Sequence, residues 1–283
     1  MFTFAGKLHI NNFSCIMANV IKIKKGLDIN LKGKASDVLL NGGKSDSYAI
    51  VPDYYNGIVP KVVAKVGEKV KAGSVLMIDK NRPEIKFVSP VSGEVTAVNR
   101  GEKRKVLSVV VKPEAQIEYE DFGKKNVASL KREEVKEAIL HAGMWPFIKQ
   151  RPYDIVASPA DEPRDIFVSA FYSAPLAPNF DFVVKGQEVD FQTGLDALAK
   201  LTDGKVYVGI RKGSSVSVKG VETVEVEGPH PAANVGVQIN HIKPINKGEV
   251  VWTVNPADVI VIGRLFNKGI ADFSRLVVIT GSE

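Results

Sequence analysis

Between residues 48 and 112 the chain alternates short runs of Val and Ile with turns that carry glycine, as in "GIVPKVVAKVGEKVKAGSVLMI" (57–78) and "EIKFVSPVSGEVTAVNRGEKRKVLSVVV" (84–111). That spacing predicts a small all-β unit. Its halves resemble each other. Gly57-Ile58-Val59 leads to Val66-Gly67-Glu68-Lys69, and Gly93-Glu94-Val95 leads to Arg100-Gly101-Glu102-Lys103. A near-repeat of this kind suits a flattened barrel of two interlocked hairpin sets, with Gly67 and Gly73 relieving turns at positive φ.

Residues 17–47 form a segment ahead of this unit. Residues 113–130 are polar with little periodicity and read as a linker. From 131 to 283 the period changes. "KREEVKEAILHAG" (131–143) puts Val135, Ala138, Ile139 and Ala142 on one helical face, with Gly143 placed to end it. "YDIVAS" (153–158), "DIFVSAF" (165–171) and "KVYVGI" (205–210) read as strands and "FQTGLDALAKLT" (191–202) as a helix. "NPADVIVIGRLFNKG" (255–269) is a helix capped by Asn255 with Pro256 in its first turn. Such alternation predicts a mostly parallel sheet covered by helices. The closing run "RLVVITGSE" (275–283) reads as a buried strand just before the terminus, which suggests a truncated chain.

Composition narrows the function classes. With 283 residues, 45% hydrophobic and 25% charged, the chain is long enough for two domains and ordinary for a globular protein. No apolar run reaches the roughly 18–20 residues that span a bilayer. Residues 1–16 lack a continuous apolar core and read as a leader or tag ahead of Met17, which points to a cytoplasmic protein. Cys15 is the only cysteine, and His9, His141, His230 and His241 are scattered, so neither an iron–sulfur cluster nor a zinc site is expected. The formal charge of +6 includes "KIKK" (22–25) and "GEKRK" (101–105), which suit anionic lipid, nucleic acid, an acidic partner or plain water. Aromatic residues are not interleaved with these lysines, so nucleic acid is not expected.

Asp79-Lys80 followed by "SPVSG" (89–93) resembles lipoyl and biotinyl carrier domains, which present a lysine at a hairpin tip. Here two extra residues separate Lys80 from that strand, and the Met-Lys-Met of a biotin site is absent. An even insertion keeps the strand's inward–outward alternation. Lys80 is therefore expected to be an exposed turn lysine on a reused barrel; a lipoyl- or biotin-carrier and docking protein is the alternative.

A wider set of motifs follows in order along the chain: "IKIKKGLDI" (21–29), "NRGEKRKVLSVVV" (99–111), Gly143 to Pro152, "IFVSA…PLAPN" (166–179), residues 198–208, and "GPHPA" (228–232). Together they resemble the A subunit of the sodium-translocating NADH:quinone oxidoreductase, with the C-terminal portion of that family missing. The resemblance implies a barrel-sandwich domain followed by a Rossmann-like α/β domain, similar to the FMN-binding subunits of NADH dehydrogenases. Those relatives cradle FMN phosphate on a glycine-rich loop after the first helix. This chain has "HAGMWPFIKQRPY" (141–153) there, with Trp145, Pro146 and Phe147 in place of glycines. Pro146 brings no amide, so neither FMN nor NADH is expected to bind.

What the resemblance implies is a cofactor-free subunit on the cytoplasmic face of the bacterial inner membrane, peripheral to it and docked on the other subunits of a redox pump. It would contribute to binding and reducing ubiquinone or menaquinone, from ubisemiquinone to ubiquinol, in a complex that exports sodium. Trp145 with Phe147 are candidates to line a ring-shaped cleft, and Arg151 to steady an anionic ring. Pro175, in a loop after a strand, Gly228 and His230 are candidates for contact with quinone or a partner. Core packing, a surface ion pair and rigid turns are the plain readings of the same residues. No directly catalytic residue is identifiable, and no hydrolase arrangement is present.

Overall fold

The computed structural model describes residues 20–29, 31 and 37–279. The leader read over 1–16, with Cys15, His9 and Met17, lies outside the described residues.

Seven strands make the larger sheet. In chain order they are β1 (Val20–Lys22), β9 (Ile148–Arg151), β10 (Ile155–Val156), β11 (Ile166–Ser169), β12 (Val206–Arg211), β13 (Glu222–Glu227) and β14 (Val251–Val254), in the spatial order β1-β13-β12-β11-β14-β9-β10. The first five positions pair parallel; β9 and β10 close the other side antiparallel. Strands β11, β12 and β13 step outward in sequence, and β14 returns to the far side of β11, so the strand order reverses there. The smaller unit holds two sheets. One has the order β2 (Tyr48–Ile50), β8 (Val106–Pro113), β7 (Gly93–Arg100), β4 (Lys69–Val70), and the other β3 (Pro60–Val62), β5 (Val75–Asp79), β6 (Lys86–Val88).

Alternation along β11 shows why the large sheet is covered on both faces. Ile166 and Val168 enter the main core with α3 (Glu188–Lys200) and α5 (Pro256–Lys268). Phe167 points the other way, onto Ile239 of α4 (Val235–Ile242). Asn255 caps α5 by accepting from the Ala257 amide, and Gly269 ends it at φ 74°. The short α2 (Phe180–Val184) leads from β11 into α3, while α1 (Arg132–His141) buries Val135, Ala138 and Ile139 as its spacing predicts.

The barrel has its own core, including Leu76, Val95, Val109 and Val111. Its Met77, Ile85 and Phe87 instead join the core of the α/β unit. Apolar surface on the barrel thus holds the two units together.

Three expectations change. The segment before the barrel contributes β1 to the edge of the large sheet, although it precedes the barrel in sequence. Residues 113–130 are polar but tied down: the Glu120 amide donates to Ala72 O (2.9 Å), Phe122 to Gly269 O (2.8 Å) and Lys125 to Phe266 O (3.0 Å). Buried backbone needs partners, and here two units supply them. Finally, the run from Arg275 is not a buried strand. Val277 is 76% and Ile279 93% exposed, and neither lies in a strand. β-branched residues form a strand only where a sheet edge accepts them.

Candidate functional site

Because the strands of the large sheet run parallel from β1 to β14, their carboxyl ends open onto one edge. Residues 23–28, 170–179, 228–232 and 255–258 leave there, and antiparallel β9 begins there at Phe147 and Ile148. Open α/β sheets bind ligands at this edge, near the reversal of strand order.

The continuation of β1 runs alongside the loop after β13. The Ile23 amide donates to Glu227 O (2.8 Å) and Leu27 to His230 O (2.9 Å), while the His230 amide donates to Asp28 Oδ1 (2.9 Å). Two glycines allow this approach. A Cβ on Gly26 would lie 2.1 Å from His230 O; one on Gly228, whose φ is +142°, would lie 2.2 Å from Ile23 O.

On the other side of the same loop, Ser173 Oγ lies 3.0 Å from His230 Nδ1 and accepts from the Ala233 amide at 3.0 Å. The amide occupies one lone pair of the hydroxyl, which gives its own proton to Nδ1 when the His230 ring carries its proton on Nε2, and accepts from Nδ1–H through its second lone pair in the other tautomer. Below it, Ser169 Oγ donates to Ala233 O (2.7 Å) and accepts from Gln238 Nε2 (2.9 Å), which also reaches Ala232 O (3.1 Å). Gln238 is buried in α4, so these bonds satisfy an amide that would otherwise cost stability and fix the 228–233 loop to the sheet.

The remaining sequence candidates divide. Pro175 is exposed in the loop that starts at Ser173, and Gly228 is the close-approach glycine just described. Trp145 lines no cleft. It is fully buried, donates Nε1 to Ala157 O (2.8 Å) and meets Trp252 edge to face at 5.4 Å. Phe147 is half-buried against Phe273 (5.9 Å), with the Arg275 guanidinium over its ring (5.8 Å). Arg151 pairs with Asp154 at 3.4 Å, while its Nε is buried without a partner. Lys80 is exposed at the bend after β5, but its neighbour Asp79 is fully buried and accepts from Val59 N (3.0 Å), Asn81 N (3.2 Å) and Arg82 Nε (2.8 Å). The Asp-Lys pair is thus explained by a carboxylate that builds the turn.

A flavin phosphate does not fit the loop at 143–147. Met144 and Trp145 are fully buried, Pro146 offers no amide, and a Cβ on Gly143 would lie 2.4 Å from Val88 of the barrel. The loop packs against β6 where a phosphate would need open amides.

Sequence reasoning missed a charged cluster beside Phe147. Asp258, in the first turn of α5, pairs with Arg275 at 2.7 Å. Burial pushes the Asp258 carboxyl up from its ordinary value, with Arg275 opposing. Burial pushes the Lys149 ammonium down, and raises the Tyr55 and Tyr172 hydroxyls with Asp258 adding to both. These groups come from five separated stretches, so no local motif announces them. Asp28, Ser169, Ser173 and Gln238 were likewise silent, being common residue types whose role lies in partners far along the chain. Among the described residues no group of three or more His, Cys, Asp or Glu could hold a metal ion, and no helix is long and apolar enough to cross a membrane.

Residues 21–114 match the family model described as the NqrA N-terminal barrel-sandwich hybrid domain, and residues 130–271 that of the NqrA second alpha/beta domain. Among curated relatives, the A subunit of the Na(+)-translocating NADH-quinone reductase from Neisseria meningitidis serogroup A is 38% identical over 269 residues, covering 93% of this chain and 60% of that one. The corresponding A subunits of Hahella chejuensis and Photorhabdus laumondii are 38% and 35% identical with the same coverage. The chain therefore spans about 60% of the length of these relatives.

Proposed function

The chain belongs to the NqrA family, whose relatives are the A subunits of Na(+)-translocating NADH-quinone reductases, and from that we propose that it is a quinone-contacting, partner-docking part of such a subunit. The complex it serves passes electrons from NADH to quinone and exports sodium; its other subunits are the partners of this chain. The chain sits peripherally at the cytoplasmic face of the membrane and holds no flavin, in keeping with the filled loop at 143–147.

The observation that carries the quinone reading is the Ser173–His230 pair. In the tautomer where the Ser173 hydroxyl donates to Nδ1, at 3.0 Å, the Nε2–H of His230 is left to donate to a ring carbonyl. A donor aimed at an oxygen that gains negative charge on reduction favours the reduced ring. Gly228 and Pro175 shape the loops on either side, while Trp145 and Arg151 act through packing and pairing. Ser173 is a positioning residue: it holds the His230 ring.

Calorimetric titration with a short-tailed ubiquinone, and separately a menaquinone, tests this on the chain and on the full-length protein. His230→Ala should weaken binding about fivefold, the worth of one hydrogen bond of roughly 1 kcal/mol. Wild-type affinity in that variant would refute the role of His230.

A further inference from the structure

Seven of the exposed large aliphatic residues crowd into one segment near the start of the chain: Val20, Leu27, Ile29, Leu31, Val38, Leu39 and Leu40. The last six are between 48% and 80% exposed. Isolated exposed aliphatics are ordinary, but a run of them on one segment marks a surface that is covered in use. The same stretch is basic. Residues 20–44 hold six lysines (22, 24, 25, 32, 34 and 44) against Asp28 and Asp37, which is +4 of the chain's +6. Lys22, Lys24 and Lys25 are exposed.

We propose that residues 20–29 and 37–40 form a membrane-surface contact that inserts Leu and Ile side chains among anionic lipids while the lysines meet the headgroups. The residue types favour lipid over protein. Protein interfaces are rich in aromatic residues, Met and Arg and poor in Lys. Residues 20–44 contain no aromatic residue, no Met and no Arg; their large side chains are aliphatics and Lys. Aliphatic insertion joined to lysine attraction is the chemistry of a peripheral lipid contact. Exposed lysines beside exposed aliphatics complement an anionic, apolar-centred surface. The segment is also fastened to the rest of the protein, through Leu27 N to His230 O (2.9 Å) and His230 N to Asp28 Oδ1 (2.9 Å). Contact there would bring the 228–232 loop to the lipid surface. The proposal rests on the surface alone and does not require that quinone bind at His230.

Co-sedimentation of the chain with vesicles tests it, using phosphatidylcholine alone or mixed with phosphatidylglycerol. The wild-type chain should bind the mixed vesicles, release them at high salt and bind phosphatidylcholine poorly. Lys24→Glu with Lys25→Glu should weaken binding at least about tenfold, and Leu39→Asp with Leu40→Asp by a similar factor. All four positions are exposed, and circular dichroism should show both double variants folded as the wild type. No binding to the mixed vesicles overturns the proposal. So does equal binding to both vesicle types, or binding unchanged by the leucine substitutions. If wild type ignores vesicles while the same substitutions break assembly with the membrane subunits, the surface belongs to a protein partner and the lipid proposal fails. Detergent-solubilised quinone binding should be unaffected by Leu39→Asp with Leu40→Asp, which separates this outcome from the His230 reading.

Discussion

Gly228→Ala should detach the tail of β1 from the His230 loop while leaving the rest of the protein folded. The new Cβ would stand 2.2 Å from Ile23 O and 2.9 Å from Ile23 Cβ, and φ at +142° is a region where alanine is strained. Backbone strain of this type costs about 1–3 kcal/mol. Relieving the clash means moving two backbones apart. That breaks the Leu27 N to His230 O bond and the His230 N to Asp28 bond, each worth about 0.5–1.5 kcal/mol. The strain is relieved only by giving up the bonds, so the two costs are alternatives, and either, about 2 kcal/mol, corresponds to a change of roughly thirtyfold in the opening equilibrium of this segment. β1 is a three-residue edge strand, so little of the core depends on it. Amide hydrogen exchange at Leu27 and His230 reads the effect. Both should lose their protection, with the amides of β11 and β12 unchanged. Gly42→Ala, where nothing lies within 4 Å of the added carbon, should be silent. Protection at Leu27 and His230 that survives Gly228→Ala would refute the close-approach reasoning.

Asp79→Ala should cost about 3 kcal/mol in urea unfolding, because it strands two amides and the Arg82 guanidinium around a buried site. Lys80→Ala should stay within about 0.5 kcal/mol of wild type, as exposed substitutions do. Trp145→Ala should cost about 3–5 kcal/mol by leaving a cavity against Trp252 and an unpaired Ala157 carbonyl; a loss under about 1 kcal/mol would mean the ring does not fill the loop as described. Burial raises the Asp165 carboxyl, but hydrogen bonds from Lys243, the Lys205 amide and Arg164 outweigh it and hold the group below its ordinary 3.8. A depressed carboxyl stabilises the fold above 3.8 and loses that contribution as pH falls through the lower, folded value. Asp165→Asn should therefore be about 2–3 kcal/mol less stable at neutral pH, a figure held down by the half-exposed Lys243, and should lose less stability than wild type on acidification.

The barrel, α1, α3 and α5 were legible because each rests on local pattern. Val and Ile between glycines, the Val135–Ile139 stripe and the Asn255 cap all act within a few residues of themselves. β1 was not legible as part of the large sheet. Its partner, β13, lies some two hundred residues on, and no local periodicity encodes that pairing. The bulk of the loop at 143–147 could be read directly from Trp145, Pro146 and Phe147. The burial of Trp145 beneath it, rather than along a cleft, depends on Trp252 and Ala157 and could not be read from its neighbours. His230 was a candidate by residue type alone; the Ser173 contact that holds its ring joins two loops 57 positions apart. The run at 275–279 misled for the opposite reason, since its β-forming residues meet no sheet edge.

Nitrogen-15 NMR of histidine-labelled protein reads the Ser173–His230 arrangement and its use in one experiment. The His230 ring should carry its proton on Nε2, and Ser173→Ala should loosen that preference. A short-tailed quinone should then shift the Nε2 resonance as the bond to the ring oxygen forms. A His230 signal indifferent to saturating quinone, or one showing the proton on Nδ1 in the wild-type chain, would contradict a quinone-facing donor at this site.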